Sequence, residues 1–205
     1  MATPVTGARF WGDLKDHVST EPHGDWTHHN RGTRGDGWGP VHGVAVHHFG
    51  PYASLAGAIE LSRTGRADLP GPLYQVLVDT KGVCHLIGWG RVNHAGGGDP
   101  DVLRHLVAEQ LPFPAPRYED GQDGAVDGNA RLYGICLLNR GNGTQKYPEQ
   151  QLDAAAWAAA LLCHYHGWSQ RSVIAHKEWQ RGKIDPTTPM DPFRARVGRL
   201  LAKLS

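Results

Sequence analysis

Two short apolar segments, each running directly into histidine, constrain this chain more than any other feature of its sequence. The first, VHGVAVHHFG, has an apolar run at 44–46 before His47, and the second, VIAHKEWQRGKIDP, has one at 173–175 before His176. Short apolar runs rich in β-branched residues predict buried strands. The sequence therefore predicts two strands that each supply a histidine to one candidate site.

A carboxylate completes this candidate site. After His176 we expect a loop that ends at 183–186, the Lys-Ile-Asp-Pro segment containing Asp185. Imidazole and carboxylate groups suit Zn²⁺, and a catalytic zinc has three protein ligands and an open fourth position. His47, His176 and Asp185 are thus candidate ligands of a catalytic zinc. Adjacent strand residues point to opposite faces, so only one of His47 and His48 is expected at the metal, and His48 is the alternative ligand.

Composition narrows the class of protein. A chain of 205 residues with 40% hydrophobic residues predicts one domain with a sizeable core. The net charge of +1 gives no electrostatic footprint for nucleic acid, and no stretch approaches the roughly 18 apolar residues of a membrane span. The first 17 residues lack the apolar segment of a signal peptide. Cys84, Cys136 and Cys163 are widely spaced and are expected to be buried free thiols.

The order of the predicted elements gives the fold class. Strands are predicted at 42–49, 73–79, 83–88, 132–139 and 173–175, and helices near 11–18 and at 53–64, 99–111, 148–166 and 191–204. Strands that alternate with helices, together with a hairpin at 79–82, predict an α/β fold with a mixed central sheet covered by helices. We divide the chain into an N-terminal extension, 1–40, packed on the core, and a catalytic domain, 41–205.

Four segments in order carry a resemblance to a known family. They are VAVHHFG, LPGPLYQVLVDTKGVCHLIGWGRVNHAGGG, LYGICLLNRGNG and VIAHKEWQRGKIDP, and they span roughly residues 41–186. The chain resembles the zinc-dependent N-acetylmuramoyl-L-alanine amidases of the type-2 amidase and peptidoglycan-recognition-protein fold, especially actinobacteriophage endolysins. The resemblance implies that fold, a Zn²⁺ cofactor, and hydrolysis of the amide between N-acetylmuramic acid and L-alanine in peptidoglycan.

The resemblance also implies roles for individual residues. It makes His47, His176 and Asp185 the zinc ligands, and Tyr74 and Lys183 catalytic groups. Zinc polarises a carbonyl and lowers the pKa of bound water to about 7. Lys183 would face the oxyanion of the tetrahedral intermediate as a fixed donor, and Tyr74 could add a hydrogen bond. The general base stays open between Tyr74 and a hydroxide held by zinc.

Further positions concern the substrate groove. The resemblance places His94, with its neighbour Asn93, along the groove, and Trp89 is a candidate to stack on a sugar, with core packing as its alternative.

Two positions depart from the family pattern. Gln75 stands where a histidine usually follows the catalytic tyrosine, and Cys136 stands where a glutamate is expected. These departures leave the substrate contacts open and remove no ligand.

The other histidines of the chain carry less weight. His42 and His85 lie on predicted strands and are interpreted as structural, and His164 and His166 lie at a helix end, where a cation suits the helix dipole. His28 lies in a predicted loop without an evident partner. None of these residues is predicted to take part in the reaction.

Two other functions compete with the amidase. A binding module of the same fold would recognise muropeptides without cleaving them, and a zinc peptidase would cut inside the stem peptide. The filled ligand positions count against the first, and the Tyr74 and Lys183 pair counts against the second. We further expect a monomer without nucleic-acid partners or membrane insertion, made in the bacterial host cytoplasm and released to the cell wall by a separate pore protein.

Overall fold

A mixed six-stranded sheet forms the centre of the protein. The computed structural model describes residues 2–32 and 37–204. Its strands are β1 (Thr20–Pro22), β2 (Val44–His48), β3 (Gly65–Arg66), β4 (Leu69–Pro70), β5 (Val76–Val78), β6 (Cys84–Leu86), β7 (Gly97–Gly98), β8 (Val126–Asp127), β9 (Tyr133–Leu137) and β10 (Val173–Ala175). The sheet order is β1-β6-β5-β9-β2-β10, in which only β5 and β6 pair antiparallel. Strands β3–β4 and β7–β8 form two small separate ladders.

Seven α-helices accompany the strands within the described residues. They are α1 (Gly7–Leu14), α2 (Leu55–Thr64), α3 (Pro100–Val107), α4 (Gly128–Arg131), α5 (Glu149–His166), α6 (His176–Trp179) and α7 (Met190–Leu201), with a 3₁₀ turn at Gln170–Ser172. The longest, α5, ends where Gly167 takes a left-handed conformation with φ 65°. Helices on both faces of a mixed sheet confirm the predicted fold class.

The two faces of the sheet carry different cores. On one face, alternate strand residues such as Val46, Val76 and Ile135 pack against α5, α7 and α1. Alanines dominate the buried side of α5, which lets the helix approach the sheet closely. On the other face, Leu77 and Cys136 pack under α2, and Ala45 and Ile174 pack against α3 and α6. His47 points to this second face, because it follows Ala45 by two residues along β2.

The structure corrects several local predictions, among them the helix predicted at 99–111, which ends at Val107. The first helix covers Gly7–Leu14 instead of 11–18, because the Thr6 side chain caps it by accepting from the backbone N–H of Arg9. The residues after His176 form the single helical turn α6 before the loop begins. On α2, small residues face the core: Ala58 and Ser62 are fully buried, while Leu55, Ile59 and Leu61 are half-buried.

The N-terminal segment contributes to the main core. Phe10, Leu14 and Trp26 are buried in the cluster that α5 forms with the sheet. The boundary at residue 40 stays a prediction, and residues 1 and 33–36 lie outside the described part of the chain. All three cysteines are buried and free, as predicted. Within the described residues no helix combines the length and apolarity needed to cross a membrane.

Candidate active site

Strand pairing brings the two predicted histidine ligands together. In the parallel pair β2–β10, Ala175 lies opposite Val46, so His176, which follows β10, lies beside His47. The two ring centroids are 4.5 Å apart. His47 is 1% exposed and His176 7%, so both imidazoles are withdrawn from bulk water.

The turn after β10 brings a carboxylate to the same point. The Glu178 side chain accepts a hydrogen bond of 2.8 Å from the backbone N–H of Ala175, which satisfies a donor at the start of α6. Beyond α6 the chain returns, and Asp185 Oδ2 lies 3.1 Å from His176 Nδ1 and 3.3 Å from His47 Nδ1. One carboxylate oxygen therefore faces both imidazoles.

Hydrogen bonds behind the imidazoles determine which ring nitrogen carries the proton. His94 Nε2 lies 3.2 Å from the Leu132 carbonyl oxygen, which can only accept, so His94 is protonated there and its Nδ1 is an acceptor. His47 Nε2 lies 3.0 Å from that Nδ1 and must donate to it. His176 Nε2 likewise donates to Gln180 Oε1 over 3.1 Å. When neutral, both rings therefore keep an unprotonated Nδ1.

Three electron-pair donors consequently converge on one point. The Nδ1 atoms of His47 and His176 and a carboxylate oxygen of Asp185 lie within 4.8 Å of one another. Three such atoms without a shared proton repel each other unless a cation lies among them. Two imidazoles and one carboxylate are a ligand set used by catalytic zinc, and N–H groups held by partners behind the rings are typical of metal-bound histidines. These residues therefore fit a zinc ion.

The charge states agree with this fit. Burial, followed by the neighbouring His176, lowers the pKa of His47 to about 4. Burial, followed by His47, places the pKa of His94 well below its ordinary value. Burial alone would raise the pKa of Asp185, but its contacts with His176 and His47 hold it far below the usual range. At neutral pH, His47 is therefore neutral and Asp185 ionised, the forms that bind a metal.

Tyr74 lies beside this cluster as a hydrogen-bond donor. Its ring centroid is 5.6 Å from that of His47, and its hydroxyl has the Cys136 thiol as a hydrogen-bonding neighbour. Burial raises the pKa of Tyr74 well above its ordinary value. The phenol therefore stays protonated at neutral pH and is poorly suited to accept a proton as a general base.

The two positions that depart from the family pattern have defined places in the structure. Gln75 joins two segments, because its Oε1 accepts from the Gly134 backbone N–H over 2.6 Å and its Nε2 donates to the Gly90 carbonyl oxygen over 2.8 Å. Cys136 lies opposite His47 in the β2–β9 pair and is fully buried. A neutral thiol there adds no negative charge beside the three candidate ligands.

An open pocket of about 190 Å³ adjoins the cluster. His176, His94, Asn93 and Lys183 all line it. Lys183 is exposed, whereas Asn93 is half-buried and donates from Nδ2 to the Pro70 carbonyl oxygen over 2.7 Å. The structure thus groups the predicted metal ligands with one catalytic and two groove candidates.

Two predicted alternatives lie elsewhere. Trp89 is only 4% exposed, stacks on Phe10 at 4.8 Å, and donates from Nε1 to the Val5 carbonyl oxygen over 2.8 Å. It is therefore a core residue and is not positioned to stack on a sugar beside His47, which corrects its interpretation as a groove residue. His48 points away from the cluster, and its Nδ1 lies 3.1 Å from the Tyr147 hydroxyl.

Two residues of the site carry no strong sequence signal. Gln180, the residue that follows α6, accepts from His176 Nε2 and lies four residues after it in the sequence. Asn129 accepts backbone hydrogen bonds from His94, Ala95 and Gly96 at 2.8, 2.8 and 3.3 Å and so fixes the loop that carries His94. No motif marks Asn129.

A mixed sheet that carries two imidazoles and a carboxylate beside an open pocket has the features of a mononuclear metallohydrolase. Comparison with protein families identifies the kind of hydrolase. The chain belongs to the N-acetylmuramoyl-L-alanine amidase family Amidase_2, whose sequence pattern matches residues 37–188. Membership confirms the predicted function of a peptidoglycan amidase. A comparison with curated protein sequences finds no match.

Solved structures are similar to this chain in fold. The hydrolase AmiA of Staphylococcus aureus has a TM-score of 0.58 at 13% identity, covering 98% of this chain and 95% of its own. A selenomethionine derivative of AmpD has a TM-score of 0.54 at 17% identity, with 88% and 94% covered. An endolysin amidase, LysCS of Clostridium intestinale, has a TM-score of 0.50 at 14% identity, with 77% and 83% covered. These likenesses support the predicted fold class.

Proposed function

We propose that this chain is a zinc-dependent N-acetylmuramoyl-L-alanine amidase in which His47, His176 and Asp185 hold the metal. The observation that carries this proposal is the convergence of two unprotonated Nδ1 atoms and one ionised carboxylate beside an open pocket. Bound zinc would polarise the scissile carbonyl and activate water at neutral pH. Two neutral imidazoles and one carboxylate would leave the loaded centre with a net charge of about +1.

The remaining roles belong to side chains around the cluster. Lys183 is exposed on the pocket wall, two residues before Asp185, so its ammonium can donate to the oxygen on which negative charge develops. Tyr74, which stays protonated, can donate a second hydrogen bond. His94 touches no reacting atom in this scheme and acts as a positioning residue, because it holds the His47 ring. Asn93 on the pocket wall is the proposed substrate contact.

We further propose that the protein acts as a phage endolysin. The Amidase_2 family includes enzymes that cut peptidoglycan, and LysCS, which has a similar fold, is described as an endolysin. The enzyme would act as a monomer and would meet the wall only after a separate pore opens the host membrane. Expression inside an actinobacterium should leave the cells intact until the membrane is permeabilised. Lysis should then follow in the wild type and fail in His47→Gln.

The activity test uses purified actinobacterial peptidoglycan. We expect the wild type to release stem peptides with a free L-alanine amino terminus, detected by mass spectrometry. A chelator should abolish release and added zinc should restore it. His47→Gln should be inactive, whereas the matched control His48→Gln should keep activity, because His48 lies outside the cluster.

Other products would contradict the proposal. Peptides cut inside the stem, with the bond to N-acetylmuramic acid intact, would identify a zinc peptidase. Sedimentation with the wall without any release, equal in wild type and His47→Gln, would identify a binding module. Zinc-independent release of L-alanine termini would retain the amidase and refute the metal centre.

A further inference from the structure

A second group of metal-ligating side chains lies near the opposite end of the sheet. We call it the edge cluster, and it consists of Glu21 on β1, His23 just after β1, and His85 on β6. His23 Nε2 lies 3.0 Å from His85 Nδ1. Glu21 Oε2 lies 3.5 Å from the same Nδ1, and Glu21 Oε1 lies 3.9 Å from His23 Nε2. Three potential ligand atoms thus converge within 4.8 Å, as they do at His47.

The backbone holds these residues in place. Glu21 and His85 lie directly opposite each other in the parallel pair β1–β6, so their side chains share a face. The chain then leaves β1, and the backbone N–H of His23 donates to the Leu86 carbonyl oxygen over 3.1 Å, which returns the His23 ring to His85. The cluster is therefore built on strand pairing, which fixes metal ligands better than a free loop does.

A buried polar atom supports a ligand role for His85. This residue is 1% exposed, and its Nε2 is buried without a hydrogen-bond partner among the described residues. That Nε2 lies 3.5 Å from Asp79 Oδ2, and Asp79 is held in turn by the backbone N–H groups of Lys81 and Val83 at 2.8 and 2.9 Å. A proton on Nε2 would face the Asp79 carboxylate, although no hydrogen bond forms between them, and would leave Nδ1 free towards Glu21 and His23.

We propose that Glu21, His23 and His85 form a second zinc site, separate from the candidate active site. Tetrahedral zinc with bonds of about 2.1 Å places its ligand atoms roughly 3.4 Å apart, close to the distances in the cluster. The Glu21 side chain is 59% exposed, which leaves room for water as a fourth ligand.

The surrounding charges favour a cation. Glu21 and Asp79 contribute two negative charges at the cluster. The opposing charge is the Arg63 guanidinium, which lines the same surface pocket as His23 and pairs with Glu60 over 3.4 Å. The carboxylates thus outnumber the arginine and can compensate the charge of a divalent ion.

The position of the edge cluster indicates a structural role. His47, Cys136, Leu77 and His85 form one row across β2, β9, β5 and β6. Three strand spacings separate the two end residues, about 14 Å, whereas paired catalytic metals lie roughly 4 Å apart. A metal at the edge cluster therefore cannot act on the same reacting group as one at His47. It would instead clamp β1, and with it the N-terminal segment, to the sheet.

The test counts zinc in the full-length protein. After stripping and reloading, wild type should bind two equivalents of zinc per chain, measured by plasma mass spectrometry after gel filtration. Asp185→Asn should keep one equivalent, and His85→Gln or the exposed Glu21→Gln should remove the edge equivalent. His48→Gln, the matched control, should keep two. Asp185→Asn can bind zinc only at the edge cluster, so its zinc content tests the edge cluster separately from the proposed active site.

A thermal measurement on the same proteins tests the clamp. In Asp185→Asn, zinc at about 100 times its dissociation constant should raise Tm by roughly 5–10 °C, and this shift should vanish when Glu21→Gln is added. One outcome overturns the proposal directly: a wild type that binds no zinc beyond the equivalent removed by Asp185→Asn. The short His23–His85 contact would then be an ordinary N–H···N hydrogen bond. Retention of the edge equivalent in both His85→Gln and Glu21→Gln would also overturn it.

Discussion

The two histidine–carboxylate clusters lie in one row of the same sheet and differ in how their imidazoles are held. At the candidate active site, His47 and His176 each donate from Nε2 to a fixed acceptor, His94 Nδ1 or Gln180 Oε1. At the edge cluster, the nearest carboxylate oxygen to His85 Nε2 is Asp79 Oδ2, at 3.5 Å. Hydrogen bonds from side chains therefore orient the rings of His47 and His176, whereas the His85 ring is oriented mainly by its position in β6.

Their surroundings differ as well. Side-chain exposure is 2% for His47 and 14% for Asp185, against 59% for Glu21 in the edge cluster. The active-site cluster adjoins a pocket lined by Lys183, a donor that can meet a developing negative charge. The same ligand types thus suit a reacting centre in one place and a clamp in the other. The difference lies in the neighbouring groups.

Removal of the active-site carboxylate gives the largest expected effect. Asp185→Asn keeps the size of the side chain and removes the anionic ligand, so we expect one zinc to be lost. Hydrolysis of peptidoglycan should fall on the order of 10³-fold in kcat/KM, or about 4 kcal/mol. Steady-state assays on soluble muropeptides provide the measurement. Loss of both zinc ions in this variant would show that the two clusters are not independent.

Removal of the Lys183 ammonium group should slow the reaction without changing metal binding. Lys183→Met is expected to lower kcat by about 10²-fold, with KM and zinc content unchanged, because an oxyanion donor acts in the transition state. The matched control is Lys81→Met, an exposed lysine of the β5–β6 hairpin, which should behave as wild type. An unchanged kcat in Lys183→Met would remove Lys183 from the mechanism.

The hydrogen-bond acceptor of His47 tests directly whether side-chain partners orient the active-site imidazoles, and the expected effect is smaller. His94→Ala leaves the Nε2–H of His47 without its acceptor and should weaken zinc binding at the active site by about tenfold. His94→Asn, whose side-chain oxygen can replace Nδ1 as acceptor, should restore part of that affinity. Competition with a chromophoric chelator measures both constants. Equal affinities in wild type and His94→Ala would show that strand geometry alone orients His47.

Sequence reasoning performs best where a local pattern fixes the structure. The runs at 44–46 and 173–175 predict buried strands, and because these strands pair in parallel, His47 and His176 become neighbours. The Ala-rich segment predicts α5 within a residue at each end, since Gly167 stops it. In the 183–186 segment, Asp185 lies beside both imidazoles and Lys183 lines the adjoining pocket, while their roles in the reaction stay predictions.

Contacts between distant segments could not be predicted in this way. Strand β1 has three residues and an interior Glu21 without apolar alternation, so it carries no strand signal, and the partner of His85 was therefore invisible. The interpretation of His85 as structural rested on its position in a predicted strand. Trp89 was predicted as a possible sugar contact but is a core residue. An indole suits both environments, and only the fold shows that Trp89 packs against Phe10 and Trp26.

A last prediction concerns the stability of the fold and uses a buried histidine that belongs to neither cluster. His42 Nε2 lies 3.1 Å from the Ser172 hydroxyl, and the His42 ring packs on Trp168 with centroids 4.6 Å apart. Burial lowers the pKa of His42 to about 4 from the ordinary 6.5. Between these two values the unfolded chain binds a proton that the folded protein does not. The free energy of unfolding should therefore fall as pH drops from about 6.5 to 4, with no further loss from this group below 4.

His42→Gln should flatten this part of the stability profile without touching a metal ligand. Between pH 7 and 4.5, wild type should lose about 2 kcal/mol more than the variant, because each pH unit inside the window is worth about 1.4 kcal/mol per proton. Urea unfolding of zinc-free protein at several pH values measures the slope, which is independent of any constant destabilisation by the substitution. Identical slopes would mean that His42 titrates normally despite its burial. Zinc-loaded protein should then show additional acid sensitivity, since protons compete with the metal for the histidines of both clusters.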